Sequence, residues 1–306
     1  MNLKQLAYFV RVVELRNMTH AAESLHVAQP ALSQQMALLE DDVGVALLVR
    51  RPRGVEPTVE GQLLYRQAQT ILRQVDSIHS ILTRKADPVS GAVSVAMASS
   101  TARILALPLI RAVRQRYPAI ELEIVDIPSA DLPLAIQQGR VDISLPPDEE
   151  NSSSLSTTPL VVEELLVLAH PSVALPRTRL SITDLADIPL ILPRPPNKLR
   201  MRIDYAFMNA RLRYQLLAQA STSAILLPAV SEGLGVTILP YSAAYKEIHT
   251  GAIKAYHLTP SLSRKISLCT SKSAPDRPAV TAVIELIRSL TQGLIDDGTW
   301  RHCELA

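Results

Sequence analysis

The stretch AQPALSQQM, residues 28–36, combines amide and hydroxyl side chains with small apolar ones and carries no charge. A Gln side chain can pair with an adenine edge, Ser can bond a base or a phosphate, and Ala lets a backbone approach a thymine methyl. On an exposed helix, these residues could recognise base edges in the DNA major groove. From spacing alone, an ordinary small helical bundle is the alternative.

The surrounding periodicity predicts three short helices that would position this face. Thr19 can cap the second helix, and the third should open at Pro30, whose fixed φ suits a first helical turn. Because Ala28 offers no side-chain acceptor as a cap, we expect the start of the third helix to be less stable. The inward apolar positions are Leu6, Phe9, Val10 and Val13 in the first helix, Ala21, Ala22 and Leu25 in the second, and Leu32, Met36 and Leu39 in the third.

A basic turn follows the three predicted helices. After Gly44 and a short extended piece at 45–49 come Arg50, Arg51 and Arg53. Such side chains can supply the phosphate contacts that position a protein on DNA. Residues 1–60 hold six basic and seven acidic side chains, so the positive charge is a local patch and not a property of the whole segment.

A long helical pattern without an internal proline runs from Thr58 to Asp87-Pro88, where we place a domain boundary. Its apolar positions are spaced 4, 3, 4, 3, 4 and are Leu64, Ala68, Ile71, Val75, Ile78 and Leu82. This heptad seam predicts dimerisation through a linker helix, whereas the alternative is an amphipathic helix that lies on its own domain. The predicted domains are residues 1–58, 59–88 and 89–306.

Beyond Gly91, strand-like runs alternate with helical ones, which predicts parallel α/β layers. The predicted strands are 93–97, 120–125, 141–145, 165–168, 236–239 and 265–270, and the predicted helices are 103–117, 131–138, 199–211, 222–232 and 280–294. Ser99, Ser100 and Thr101 follow the first strand at a helix start, where hydroxyls and free N–H groups can bind an anion. In the alternative interpretation, they are ordinary helix caps.

Two motifs resemble those of LysR-type transcriptional regulators, namely TxAAxxLxxxQPALSxxMxxLE at residues 19–40 and LLxRxxRGVxxTxxG at residues 47–61. The similarity continues in weaker form along the chain, and residues 199–207 and 233–240 are most similar to the nitrogen assimilation control branch. The resemblance implies an α/β fold with an N-terminal all-α winged helix-turn-helix, and an effector domain of two α/β lobes resembling a periplasmic solute-binding protein. It also implies a homodimer through the linker helix, a homotetramer, binding to an interrupted palindrome in double-stranded promoter DNA, and contact with RNA polymerase during activation or repression.

Carried onto this sequence, the resemblance implies a set of DNA-binding residues. They are Thr19, Gln29, Pro30, Ala31, Ser33, Gln34, Arg50, Arg51 and Arg53. Many relatives have Arg where this chain has Gln34, which favours an adenine or water-mediated contact over guanine readout at this position.

The resemblance also implies an effector site between lobe I, about 89–162 and 267–306, and lobe II, about 163–266. Its implied residues are Ser99, Ser100, Thr101, Ser129, Arg194, Asn197 and Thr222. Arg194 could clamp a carboxylate through two parallel hydrogen bonds, or it is a solvated loop charge. The expected effector is a small molecule, an anion or a carboxylate, and no other cofactor is expected.

The remaining chemistry-bearing residues favour neither an enzyme nor a metal site. Cys269 and Cys303 are far apart, with no CxxC and no paired Cys/His spacing, which fits a reducing cytosol. The sequence contains no GxSxG, HExxH or P-loop, and its seven histidines are scattered. We find no signal peptide and no apolar span of about 20 residues, so we expect a cytoplasmic protein without a membrane partner. A solute-binding module would need a secretion signal, and an α/β hydrolase would need an assembled nucleophile, base and orienter.

Overall fold

The computed structural model describes residues 1–51, 54–82, 89–149, 152–176 and 178–306, and within the helix at 59–82 the described side chains are those of 59–72 and 75. The chain divides into an N-terminal unit, Met1–Ala86 with Gln138–Arg140, and a C-terminal unit, Asp87–Gln137 with Val141–Ala306. Arg53 and the side chains of Ile78 and Leu82 lie outside the described residues, so the roles predicted for them stay predictions.

The N-terminal unit contains short helices, a hairpin of two strands, and one long helix. Its described elements are α1 (Leu3–Leu15), α2 (Met18–Ser24), α3 (Gln29–Val43), β1 (Leu48–Arg51), β2 (Gly54–Pro57) and α4 (Val59–Leu82). The inward faces of the three short helices pack with Leu47 and Val55 into one apolar core. This core includes the predicted Phe9, Leu32 and Leu39, each of which is fully buried.

The helix starts differ from the predicted ones in one respect. Asn17, and not Thr19, caps α2, because the Asn17 side chain accepts hydrogen bonds from the backbone N–H groups of Thr19 and His20. Thr19 therefore lies in the first turn of the helix. At α3, Ala28 is the uncapped N-cap that the sequence predicted, and Pro30 lies in the first turn.

Two close backbone approaches fix the hairpin and the start of α4. At Gly54, where φ is +142°, a Cβ would overlap the carbonyl oxygen of Arg16, and at Gly61 it would overlap the carbonyl oxygen of Leu47. Only glycine leaves room for both contacts. The glycines of the second sequence motif therefore have a packing role that positions the hairpin against the helices.

The predicted heptad seam on α4 is partly used inside the chain itself. Leu64 packs against the core of the N-terminal unit, and Ala68 has no exposed surface. Ala68 is therefore not free for a partner, which corrects the prediction that the seam as a whole faces a second chain. Leu64, Ile71 and Val75 are half-buried and retain surface for such a contact.

The C-terminal unit is a mixed sheet flanked by helices. Its described elements are β3 (Gly91–Met97), α5 (Ser99–Arg116), β4 (Ile120–Asp126), α6 (Leu132–Gln137), β5 (Ile143–Leu145), β6 (Leu155–Ala169), β7 (Arg179–Leu180), a 3₁₀ turn (Ile182–Leu185), β8 (Pro189–Pro193), α7 (Lys198–Asn209), β9 (Gln215–Ala220), α8 (Ser223–Ser231), β10 (Thr237–Pro240), α9 (Tyr241–His249), β11 (Lys254–Leu258), β12 (Leu262–Ser271), α10 (Pro278–Asp296) and β13 (Cys303–Leu305).

The strands of this unit are not all parallel, in contrast to the expectation from the alternating pattern. The main sheet has the order β4-β3-β5-β12-β6-β11-β7, with β10 and β13 also paired to β6, while β8 and β9 form a separate parallel pair. Strands β3, β4 and β5 are parallel, but β6 pairs antiparallel with β12, β10, β11 and β13. Short strands such as β13 have too few residues to show a period in the sequence.

Two large apolar cores make the C-terminal unit bilobal, and a smaller third cluster includes Leu132 and Ile136. One contains Leu105, Ile143 and Trp300, and the other contains Leu192, Phe207 and Val236. The long antiparallel pair β6 and β12 runs through both, because β6 contributes Leu160 and Val161 to the first core and Leu165–Ala169 to the second. Because both lobes are built on the same two strands, the space between the lobes lies beside β12.

Candidate DNA-reading face and effector cleft

The outer face of α3 presents the polar residues that the sequence singled out. Gln29, Pro30, Ala31 and Gln34 are exposed, and Ser33 is half-buried. The Gln29 amide nitrogen donates a hydrogen bond to Ser33 Oγ at 2.9 Å, one helical turn away. This hydrogen bond aligns the two side chains on one strip of the helix. On DNA, base edges could replace it as the hydrogen-bond partners of Gln29 and Ser33.

Basic side chains accompany this face on the hairpin. Arg50 and Arg51 lie on strand β1 and not in the turn where the sequence placed them, and both are exposed. Arg51 is held by Glu56 on the neighbouring strand, with 2.9 Å between Nε and Oε2. An exposed ion pair of this kind is weak, so Arg51 can exchange its partner for a phosphate at little cost.

A cleft of about 50 Å³ lies between the two lobes of the C-terminal unit. Because a water molecule needs roughly 10–15 Å³ of such space, the cleft holds about four water-sized groups. Its lining residues are Ala98, Ser99, Ser100, Ile127, Pro128, Ser129, Pro147, Asp148, Pro193, Asn197, Leu199, Ser221, Thr222, Ser223, Leu226, Leu239 and Arg264.

The first turns of three helices border this cleft. Ser99 and Ser100 begin α5, Leu199 lies in the first turn of α7, and Ser223 begins α8. The starts of α5 and α8 have no side-chain cap, so they keep the unpaired N–H groups and the positive dipole end that favour an anion, whereas Asn197 caps α7. The Ser223 hydroxyl is buried and has no hydrogen-bond partner among the described residues.

A buried ion pair supplies the cationic group of the cleft. Arg264 on β12 donates from Nε to Glu163 Oε2 at 2.8 Å and from Nη2 to Ser100 Oγ at 3.0 Å. Trp300 Nε1 donates to the other oxygen of Glu163 at 2.9 Å. With Glu163 fully buried and Arg264 only 5% exposed, these bonds fix the guanidinium at the cleft wall.

Asp148 adds an acceptor to the same wall. Its Oδ1 lies 2.8 Å from Nη2 of Arg202 and accepts a hydrogen bond from the backbone N–H of Lys265 at 3.0 Å. Its Oδ2 is buried without a hydrogen-bond partner among the described residues. The cleft therefore offers donors at the helix starts and one free acceptor on Asp148.

Comparison with known proteins connects these two sites to one family. The family model described as "Bacterial regulatory helix-turn-helix protein, lysR family" matches residues 3–62, and "LysR substrate binding domain" matches residues 86–292. The chain belongs to the LysR family. It is therefore a LysR-type transcriptional regulator, with a DNA-binding helix-turn-helix region followed by a substrate-binding domain.

Relatives of this LysR-family chain match it over nearly its whole length. The nitrogen assimilation regulatory protein nac of Klebsiella aerogenes is 33% identical over 95% of both chains, and that of Escherichia coli strain K12 is 34% identical over the same shares. A full-length OxyR variant from Pseudomonas aeruginosa has a TM-score of 0.72 at 23% identity, covering 95% of both chains. CbnR, in a structure of the full-length protein with its target DNA, has a TM-score of 0.69 at 23% identity, covering 95% of this chain and 100% of that one. These two structures show the same fold.

The structure brings together most of the residues that the resemblance assigned to the effector site. Ser99, Ser100, Ser129, Asn197 and Thr222 line the cleft. Asn197 Nδ2 donates to Ser129 Oγ at 3.0 Å, which joins residues 68 positions apart in sequence. Asn197 also caps α7 through its Oδ1.

Two of the assigned residues lie elsewhere in this LysR-family domain. Thr101 is fully buried and Arg194 is exposed, and neither is among the lining residues of the cleft. The guanidinium at the wall belongs to Arg264. Its signal in the sequence was charge beside apolar strand residues, because Glu163 and Glu164 interrupt the apolar run 160–168 and Arg264 lies shortly before Ile266 and Leu268.

Both thiols of the chain are poor nucleophiles in the folded protein. Burial raises the pKa of Cys269, and burial together with the Glu163 carboxylate raises the pKa of Cys303 to about 12. Cys269 is fully buried, and Cys303 Sγ donates to the Trp300 carbonyl oxygen at 3.2 Å. Reactive cysteines have lowered pKa values and accessible sulfur atoms, so neither residue suits a thiol-based sensor.

In the part of the chain that the structure describes, no helix is long and apolar enough to cross a membrane.

Proposed function

We propose that this LysR-type regulator recognises promoter DNA with α3 and that a small anion bound between its two lobes changes its effect on transcription. The observation that carries the proposal is the meeting of two uncapped helix starts, those of α5 and α8, and the Arg264 guanidinium at one cleft. The site is built for negative charge, because a carboxylate would satisfy both the unpaired N–H groups and the Ser223 hydroxyl. The volume of the cleft, about 50 Å³, suits an effector of a few non-hydrogen atoms.

The free acceptor on Asp148 narrows the effector class further. A carboxylate without another polar group would leave Asp148 Oδ2 buried and unpaired, which costs free energy. A ligand that also carries a hydroxyl or amino group would satisfy it. We therefore infer that the effector is a small carboxylic acid with a hydrogen-bond donor, such as a hydroxy or amino acid.

The same proposal covers assembly and coupling. The domains would be residues 1–58 for DNA binding, 59–88 for the linker and 89–306 for the effector domain. The chain would form a homodimer through α4 and a homotetramer that binds an interrupted palindrome. Closure of the lobes around the effector would change the packing of the effector domains and hence the bend of the DNA. Contact with RNA polymerase would follow from that geometry, and a cytoplasmic location suits all these partners.

Titration of the full chain with a panel of small hydroxy, amino and unsubstituted carboxylic acids tests the effector class. Fluorescence of Trp300, the single tryptophan, reports binding because its indole bonds Glu163, the partner of Arg264. We expect a hydroxy or amino acid to bind. Ser223→Ala should weaken the affinity for this acid by about five- to tenfold. Ser273→Ala, an exposed control, should leave the affinity unchanged. Equal binding by the Ser223 variant, or saturation by none of the acids, would contradict the cleft assignment.

The DNA-binding part of the proposal needs its own experiment. Purified protein is mixed with sheared DNA from its source organism, and the retained fragments are sequenced, with and without a binding acid. Enrichment of a few intergenic sites that share an interrupted palindrome would support it, and the neighbouring genes would indicate the pathway. Uniform recovery under both conditions would count against sequence-specific regulation.

A further inference from the structure

Three metal-ligating side chains meet in the C-terminal unit outside the residues that line the effector cleft. They are Glu164 on β6, His257 on β11 and His302, which directly precedes β13. Nδ1 of His257 lies 2.9 Å from Oε1 of Glu164, and Nδ1 of His302 lies 4.0 Å from Oε2 of Glu164. Sequence spacing could not reveal this cluster, because Glu164 and His257 are 93 positions apart.

The three ligand atoms lie close to the separations of a small tetrahedral metal site. Zinc binds His nitrogen and carboxylate oxygen at about 2.0–2.2 Å, so ligand atoms around it lie roughly 3.4 Å apart. The three ligand atoms here lie within 4.8 Å of one another. Shifts of about 1 Å, within reach of side-chain rotation, would bring all three to one ion. Two imidazoles and one carboxylate form a donor set that suits Zn²⁺ better than Mg²⁺ or Ca²⁺.

The backbone already holds the three ligands in place. The Glu164 N–H donates to the His302 carbonyl oxygen at 2.9 Å, and β13 continues this contact by pairing with β6. Strand β11, which carries His257, also pairs with β6, and Tyr256 lies opposite Val167. The Tyr241 ring packs 5.5 Å from the His302 ring. Because the strands fix the backbone at these positions, only the side-chain rotamers need to be ordered when an ion binds.

The cluster is also accessible from solvent. The side chains are 25% exposed for Glu164, 38% for His257 and 34% for His302. An ion can therefore enter, and water can occupy a fourth position. Without a metal, the same geometry is a solvent-accessible hydrogen bond between His257 and Glu164, which contributes little to stability.

We propose that Glu164, His257 and His302 bind one Zn²⁺ ion, with water as the fourth ligand, and that the ion fastens the C-terminal segment to β6. This site is separate from the DNA-reading face and from the effector cleft. A bound ion would link β13 to β11 through a single centre on β6. It stabilises the C-terminal unit by mass action, because the assembled ligands exist only in the folded state.

Metal titration of the full chain tests the site. Protein stripped with a chelator and dialysed is titrated with Co²⁺, whose visible absorption reports four-coordinate binding, and then with Zn²⁺ as competitor. We expect one equivalent of Co²⁺ per chain, displacement by Zn²⁺, and a higher melting temperature of the Trp300 fluorescence transition with Zn²⁺. Each of His257→Gln and His302→Gln should weaken binding by more than about tenfold, since even the loss of an outer-sphere partner costs about 10–100-fold.

Two further variants serve as a control and as a second test of the ligand set. His249→Gln removes an exposed histidine on α9 and should bind like the unmodified chain. Glu164→Gln preserves an acceptor for His257 and the size of the side chain, so it reports on the ligand set if a histidine variant fails to fold. Absence of one-equivalent binding, or equal affinity in the His257, Glu164 and His249 variants, would overturn the proposal.

Discussion

The guanidinium of Arg264 bonds the hydroxyl of Ser100 across 164 positions of sequence, with 3.0 Å between Nη2 and Oγ. One residue belongs to the strand pair that runs through both lobes, and the other begins helix α5 at the effector cleft. Because Glu163 holds the same guanidinium from behind, the position of the cationic group at the cleft depends on the interior of the domain.

Replacing Arg264 with Met should destabilise the C-terminal unit strongly. Among the described residues, the change leaves the fully buried Glu163 with Trp300 as its one side-chain partner, and a broken buried ion pair costs about 3–5 kcal/mol. Urea unfolding followed by Trp300 fluorescence measures the loss. The double variant Arg264→Met with Glu163→Gln should recover much of it, and failure to recover any would mean that packing, not the orphaned charge, dominates.

Replacing Ser33 with Ala should reduce sequence discrimination on DNA. Ser33 shares the exposed strip of α3 with Gln29, and a lost base contact costs roughly 1–3 kcal/mol. Gel-shift titrations against a specific site and a scrambled one give the ratio of affinities. Gln115→Ala, an exposed change on α5, is the matched control. An unchanged ratio in the Ser33 variant would show that this hydroxyl reads no base.

Replacing Gly61 with Ala should destabilise the N-terminal unit by about 1–3 kcal/mol, because the new methyl group overlaps the Leu47 carbonyl oxygen. Gly293→Ala in helix α10 is the opposite case, since a Cβ there meets nothing within 4 Å and should stabilise by about 0.5–1 kcal/mol. Far-UV circular dichroism and Trp300 fluorescence, followed together during heating, distinguish the two units. A Gly61 variant as stable as the original would contradict the described contact.

Both thiols should react slowly with a thiol reagent in the native protein at pH 8. The pKa of Cys303 is raised to about 12 and that of Cys269 is also raised, so the thiolate fraction stays small and should increase only toward strongly alkaline pH. Ellman's reagent should release two equivalents promptly only after unfolding in guanidinium chloride. Prompt reaction of either thiol in the folded chain would reopen thiol-based sensing as a function.

Replacing both Ile71 and Val75 with Asp should dissociate the proposed dimer. These residues keep accessible surface on α4, and two carboxylates in an apolar helix seam repel one another and lose hydration. Light scattering gives the mass, and Gln67→Asp at an exposed polar position of the same helix is the control. A dimer that persists in the double variant would place the interface elsewhere.

The amino-acid sequence by itself determined the local features of this protein. Helical periodicity predicted α1, α3 and α4, since a period of 3.6 residues is visible within one segment. The motif around Gln29 and Ser33 identified the family, and the strand-to-helix turns at Ser99 and Thr222 indicated two corners of the cleft. Each of these features depends on neighbours only a few positions away.

Only the tertiary structure decided which distant residues meet. It placed Arg264 and not Arg194 at the cleft, buried Ala68 of the expected seam, and joined Glu164 to His257 and His302. Such encounters depend on strand order and register, because one residue of slip moves a side chain to the opposite face of a sheet. No local pattern encodes that register, since it follows from packing two apolar cores on the same pair of strands.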